Sequence, residues 1–101
     1  MEIQTTMNDG KAVMVLNGRF DFNAHRVFKD AYAPLLKEGA LNTIEIDLSR
    51  VQYLDSSALG MLLMLRERAT AVNKQIVLSR ANGTITQILE IANFGKLFTI
   101  S

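Results

Sequence analysis

The order of hydrophobic and polar residues along the chain predicts alternating strands and helices. Residues 12–16 form an apolar run that is closed by Asn17-Gly18, which is typical of a strand buried on both faces. The turn signal NDG at residues 8–10 precedes this run, so residues 3–7 are predicted to form the first arm of a hairpin. Residues 43–48 alternate between apolar and polar side chains, which indicates a strand with one buried face.

Three further segments have helical spacing of their apolar residues. The first starts at Asn23 and reaches a stop signal at Gly39. The second and third helices are predicted over residues 58–72 and 84–92, and two more strands over residues 75–79 and 97–100.

The resulting order, β-β-α-β-α-β-α-β, predicts an α/β fold in which crossover connections build a mixed, mostly parallel sheet of about four to five strands. Residues 1–101 are expected to form a single domain, because a chain of this length has no room for a second. The helices are expected to pack mainly on one face of the sheet, since Glu45 and Asp47 need a solvent-accessible face.

Composition narrows the range of functions. Apolar residues make up 49% of the chain and charged residues 21%, so a packed core is expected and global disorder is not. The net charge is +1, with no basic excess that would indicate binding to nucleic acid or an anionic membrane. The absence of cysteine excludes disulfides and thiol chemistry.

Neither a secretory signal nor a membrane span is predicted. The first ten residues are polar and acidic, and the longest apolar run, residues 58–65, is too short to cross a bilayer. A cytoplasmic protein without direct membrane insertion is therefore expected.

No catalytic centre, metal site or cofactor is predicted from the titratable residues. The single histidine, His25, has no second histidine or cysteine near it and is expected to face solvent at the start of the first helix. The six glycines are isolated, so none forms a phosphate-binding loop.

The tripeptide Asp55-Ser56-Ser57 directly precedes the most apolar helix and allows two interpretations. Asp and Ser are favoured helix caps, because their side-chain oxygens accept hydrogen bonds from the first free backbone amides. A helix start also favours an added phosphate, and a phosphate beside Asp55 would repel an acidic or apolar partner.

The same helix raises a question about two methionines. Ala58, Leu62 and Leu65 belong to a stripe that can pack on the sheet, whereas Met61 and Met64 fall on a different flank, beside Gly60. Either a neighbouring helix covers this flank, or the methionines form an adaptable apolar surface at the serine end.

Residues 44–60, IEIDLSRVQYLDSSALG, resemble the signature of the STAS domain, which bacterial anti-sigma factor antagonists share with the cytosolic parts of sulfate transporters. Residues 17–21 and 91–98 are similar to the family's turn after the second strand and to its closing segment. The resemblance covers the whole chain. Ala58 stands where many antagonists have glycine, and Arg19 replaces a residue that is often acidic.

This resemblance implies a phosphorylation-regulated anti-sigma factor antagonist. Its partners would be a serine kinase that is also the anti-sigma factor, bound when Ser56 is unphosphorylated, and a serine phosphatase that resets it. Ser57 is the neighbouring or alternative acceptor, and Asp21 is the family's acid near the phosphorylation site. The implied phosphosite and partner surface comprises Asp21, Asp55, Ser57, Ala58, Gly60, Met61 and Met64.

The resemblance also implies an alternative, a stand-alone STAS subunit of a membrane transport complex with a structural or regulatory role. The residues favour the antagonist, because a serine directly follows the motif's aspartate.

Overall fold

Five strands form one sheet in the computed structural model, which describes all of residues 1–101. The strands follow the chain order β1-β2-β3-β4-β5 across the sheet; β1 is antiparallel to β2 and every other pairing is parallel. The prediction of a mixed, mostly parallel sheet is therefore confirmed. The strands are β1 (Glu2–Asn8), β2 (Lys11–Phe20), β3 (Thr43–Leu54), β4 (Gln75–Ser79) and β5 (Thr99–Ile100).

Three α-helices connect the parallel strands: α1 (His25–Leu36), α2 (Ser56–Ala71) and α3 (Gly83–Ile91). A first 3₁₀ turn, Phe22–Ala24, leads into α1, and a second, Phe94–Lys96, follows α3. The helix order is as predicted. None of the helices is long and apolar enough to cross a membrane.

The helices cover one face of the sheet, as expected. Alternate residues of β2, β3 and β4 point into this side, where Met14, Ile46 and Leu78 are almost fully buried and lie in register across the three strands. They join the buried faces of α1, α2 and α3 in one core of 25 residues, including Leu62 and Leu65 of α2. Burial of this apolar surface is the main stabilising term for a domain of this size.

The opposite face carries Glu45 and Asp47, but these side chains are far less exposed than expected. The Glu45 carboxylate lies 2.6 Å from both the Lys11 Nζ and the Ser79 Oγ, and its side chain is only 14% exposed. The hydrogen bond from Lys11, supported by that from Ser79, lowers the pKa of Glu45 below its usual value. Neighbouring polar side chains, rather than water, satisfy most of this charge.

The hairpin turn uses left-handed backbone at Asp9 and Gly10, with φ of +49° and +80°. Such angles are tolerated by Asp and favoured by Gly, so the predicted NDG turn is confirmed.

Strands β2 and β3 run further than predicted, and their extra length positions the candidate site. Asn17-Gly18 does not close β2 but forms part of a bulged stretch, where the register with β3 shifts and Gly18 adopts φ +113°. Beyond the bulge the two strands continue side by side until Phe20 pairs with Leu54. Both strands therefore end at the same level of the sheet.

Candidate functional site

Asp21 and Asp55 occupy adjacent positions at the carboxyl end of the sheet. Each directly follows the last residue of its strand, Phe20 and Leu54, and those two residues are paired in register. The Asp55 amide also donates a hydrogen bond of 3.3 Å to the Phe20 carbonyl. The sheet thus brings together the two acids that are 34 positions apart in the sequence.

Asp55 is the N-cap of α2. Its backbone is extended, and its Oδ1 accepts a hydrogen bond of 2.9 Å from the Ala58 amide. The cap that the sequence predicts at this helix start is therefore made by the aspartate alone, at about 1 kcal/mol.

Ser56 is the first residue of α2 and plays no part in the cap. Its side chain is exposed, and its hydroxyl has no hydrogen-bond partner within the chain. Ser57, the second residue of the helix, is only partly exposed. The hydroxyl of Ser56 is accordingly the more accessible acceptor of the pair.

The outer face of α2 continues from Ser56 along residues spaced four apart. Gly60 and Met64 are both exposed, and Met64 retains 45% of its accessible surface. A Cβ built on Gly60 would meet no atom within 4 Å, so the missing side chain leaves a flat, open patch beside Ser56.

Two residues that were predicted on this surface lie in the core instead. Ala58 is fully buried and Met61 is only 8% exposed, because their positions on the helix turn them toward the packed interior. The methionine flank is thus divided: Met61 is covered, whereas Met64 is accessible. The accessible part of the predicted surface consists of Asp21, Asp55, Ser56, Ser57, Gly60 and Met64.

Arg19 and Tyr53 form a stacked pair beside the two acids. The Arg19 guanidinium carbon lies 4.3 Å from the centroid of the Tyr53 ring, and its Nε lies 3.7 Å from Asp21 Oδ2. A cation over an aromatic face is attractive, but at exposed sites the gain is only about 0.5–1 kcal/mol. The stack gives the margin of the site a fixed positive charge.

Phe22 is the feature that sequence reasoning missed. It is the first residue of the first 3₁₀ turn, directly after Asp21, and it is 71% exposed. If the alternation of β2 continued past Phe20, Phe22 would lie two positions on and would share the buried face with Phe20. The 3₁₀ turn interrupts that alternation, which is why the pattern alone does not reveal an exposed aromatic residue here.

The most voluminous surface cleft lies at the other end of the sheet. It is lined by polar residues where β3 and β4 begin, among them Asn42, Thr43, Lys74 and Gln75. Lys74 is buried there with its Nζ donating to the carbonyls of Glu38 and Leu41, both at 2.7 Å. The residues around Ser56 instead form an open surface, which suits a protein partner better than an enclosed small molecule.

Comparison with known proteins shows the family. Residues 3–99 match the family model described as "Mlab, STAS domain". A STAS-domain containing protein of Pseudomonas aeruginosa is 45% identical over 94 residues, covering 92% of this chain and 91% of that protein. The chain belongs to the STAS-domain family.

Solved structures of lower identity share the fold. The Bacillus anti-sigma factor antagonist SpoIIAA in its unphosphorylated form matches with a TM-score of 0.75 at 21% identity, covering 99% of this chain and 87% of SpoIIAA. A putative anti-sigma factor antagonist of Thermotoga maritima matches with a TM-score of 0.87 at 20% identity, covering 97% of this chain and 84% of that one. SpoIIAA in its phosphorylated form has the same TM-score, 0.75, at 22% identity, covering 99% and 91%.

Proposed function

We propose that this protein is a phosphorylation-regulated anti-sigma factor antagonist that acts by switching partners. When Ser56 is unphosphorylated, the surface around it binds a protein that is both serine kinase and anti-sigma factor. Phosphorylation of Ser56 by that kinase ends the complex, and a serine phosphatase restores the binding form. The protein acts in the cytoplasm as a binding protein rather than as an enzyme.

One observation carries this proposal: Ser56 is exposed and unbonded at a helix start that Asp55 already caps. Removal of the Ser56 hydroxyl would cost the helix no hydrogen bond. An exposed serine that stability does not require is suited to modification.

The electrostatics of the helix start support a switch of binding without a switch of fold. The first amides of a helix lack intrahelical acceptors, and the helix dipole favours negative charge there, so α2 tolerates a phosphate on Ser56. The phosphate adds about −1.5 to −2 charges next to Asp55 and close to Asp21. Arg19 offsets part of the charge of Asp21, but no cation within the chain pairs with Asp55, so a partner that docks on this surface meets added negative charge, whereas the core beneath it is untouched.

The relatives support this interpretation. SpoIIAA is described as an anti-sigma factor antagonist and has been solved in both phosphorylation states. The two states resemble the present chain equally well, so in SpoIIAA the modification leaves the overall fold in place.

The test is phosphopeptide mass spectrometry on the protein purified from its own cells, over residues 51–66. We expect phosphate on Ser56 under at least some growth conditions. A peptide that stays unmodified throughout would refute the switch and leave the transport-complex subunit as the better interpretation. In that case, purification should recover an ATPase and a permease instead of a kinase.

A further inference from the structure

Phe22 is the most exposed aromatic residue of the chain. Of the seven aromatic side chains, the other four phenylalanines are at most 6% exposed and Tyr32 is 3% exposed, whereas Phe22 is 71% exposed. Leaving a phenyl ring in water forgoes about 1.5–3 kcal/mol of burial free energy. Phenylalanine is among the residues that are enriched in protein interfaces relative to the rest of the surface.

The backbone fixes the position of this ring. Asp21 Oδ1 accepts a hydrogen bond of 3.0 Å from the Asn23 amide, and the Asp21 carbonyl accepts one of 2.9 Å from the Ala24 amide. The Phe22 carbonyl in turn accepts from the amide of His25, the first residue of α1. Phe22 is therefore presented on a rigid turn, so binding through it costs little ordering entropy.

Charged residues flank Phe22 along the chain. It directly follows Asp21, and its turn packs against α2, which Asp55 caps. Three residues after Phe22 the chain reaches His25, which lines one surface depression together with Arg26 and Lys29.

The charge in that depression is mainly positive. Asp30 is its only acidic residue, and neither Arg26 nor Lys29 forms a salt bridge within the chain. Arg26 is the second residue of α1 and Lys29 the fifth, and the first turn of the helix contains no acidic residue that could pair with them. Both cations are therefore free to pair with acidic side chains of a partner.

We propose that Phe22 is the anchor by which the Ser56 kinase docks, and that the kinase offers an apolar pocket for the ring with acidic side chains facing Arg26 and Lys29. This inference rests on the proposed function and extends the footprint from α2 across the first 3₁₀ turn onto α1. The docking area lies beside the acceptor serine and is separate from it, so it sets how well the kinase captures its substrate.

The test is the initial rate of Ser56 phosphorylation by MgATP and an extract of the protein's own cells, with the substrate protein well below saturation. Phe22→Ala removes the ring, and Ile91→Ala is the matched control, because Ile91 is 84% exposed and lies at the end of α3. The double variant Arg26→Glu/Lys29→Glu reverses the charge, with Lys37→Glu as its control beyond the end of α1. Of the two substitutions, only Arg26→Glu lies in the first turn, where a glutamate favours the helix; equal urea midpoints for the double variant and the wild type would exclude misfolding as the cause of a loss.

We expect Phe22→Ala to lower the rate about tenfold or more while Ile91→Ala matches the wild type. The double variant should also be slower, and added salt should slow the wild type but not the double variant. Equal rates for Phe22→Ala and wild type would show that Phe22 does not anchor the kinase. A double variant with the wild-type rate would show that no acidic side chains of the kinase face Arg26 and Lys29. In both of those cases the wild type is still phosphorylated at Ser56, so the proposed function stands. If the wild type is not phosphorylated at Ser56, the proposed function is refuted, and this inference with it.

Discussion

Helices α2 and α3 begin in nearly the same way. In each, the N-cap side chain accepts a hydrogen bond from the amide three residues on: Asp55 from Ala58 at 2.9 Å, and Asn82 from Ile85 at 3.1 Å. As caps the two side chains are equivalent, and both are explained by the stability of their helices.

The surroundings of the two caps differ. The Asn82 amide nitrogen also donates a hydrogen bond of 3.0 Å to the Val51 carbonyl, so this cap ties α3 to β3. The Asp55 side chain makes no such second bond; Asp55 stands next to Asp21 and is followed by an exposed serine. The cap of α3 therefore also has a tertiary structural role, whereas the cap of α2 stands beside a second acid and directly before an exposed serine.

The largest expected difference between the two helix starts is in modification. Ser56→Ala should abolish phosphorylation of the chain at this site and leave the protein permanently bound to its kinase. Thr84→Ala, at the exposed second residue of α3, should change neither. Phosphopeptide mass spectrometry and co-purification of the kinase would measure the two effects. Phosphorylation that persists on Ser57 in the Ser56→Ala protein would show that the acceptor was assigned to the wrong serine.

For stability the order is reversed: loss of the α3 cap should cost the protein more than loss of the α2 cap. Asp55→Ala removes one capping hydrogen bond and should cost about 1 kcal/mol. Asn82→Ala removes the cap and also the bond to Val51, so we expect about 2 kcal/mol. Urea denaturation would give both free energies of unfolding. Asp55→Asn keeps the cap and serves as control; a large loss of stability in that variant would mean that the charge of Asp55, and not its cap, stabilises the helix.

Glu45 lies on the face of the sheet opposite the helices, and its role should be purely structural. Its pKa is lowered in the folded state, so its stabilisation is present above the usual value of 4.5 and is lost as the pH falls through the folded-state pKa, below 4.5. Glu45→Gln should cost about 1 kcal/mol near neutral pH, and the gap to the wild type should close in acid. Urea denaturation across this pH range measures the gap; a gap that is constant with pH would contradict the ion pair with Lys11. Phosphorylation of Ser56 should not change in this variant.

The smallest expected effect on stability comes from glycine. Gly60 lies within α2 with open space around it, so Gly60→Ala should stabilise the protein by about 0.5–1 kcal/mol. The added methyl group lies on the proposed partner surface, and we expect slower phosphorylation of Ser56 at the same time. Gly83→Ala, at the start of α3 and equally unobstructed, should leave the rate unchanged. Thermal unfolding and the phosphorylation assay would together show whether stability and binding move in opposite directions; a faster rate in Gly60→Ala would argue against a contact at this patch.

Much of the fold follows from sequence pattern. Alternation predicted residues 43–48 as a strand with one buried face, and the helical stripe through Leu62 and Leu65 is fully buried. What the pattern missed depends on contacts between strands. The Asn17-Gly18 dipeptide has the composition of a turn, yet pairing with β3 turns it into a bulge and extends both strands to the site.

The candidate site was only partly predictable, for related reasons. Resemblance to the STAS family singled out Asp21, Asp55 and Ser56, and the register of the sheet shows how Asp21 comes to lie beside Asp55. Helical spacing assigned Met61 and Met64 to one flank but could not tell which of them a neighbouring element covers. Phe22 was missed because its exposure depends on the first 3₁₀ turn, and no periodic pattern marks a turn of three residues.

The switch is tested by the affinity of the kinase, once it is purified, for two forms of this protein that differ only by phosphoserine at position 56. We expect the phosphorylated form to bind at least about tenfold more weakly, which corresponds to about 1.4 kcal/mol, while both forms unfold at closely similar urea concentrations. Equal affinities with equal stabilities would contradict it, because a phosphate beside Asp55 and Asp21 would then have no effect on the surface that the partner is proposed to bind.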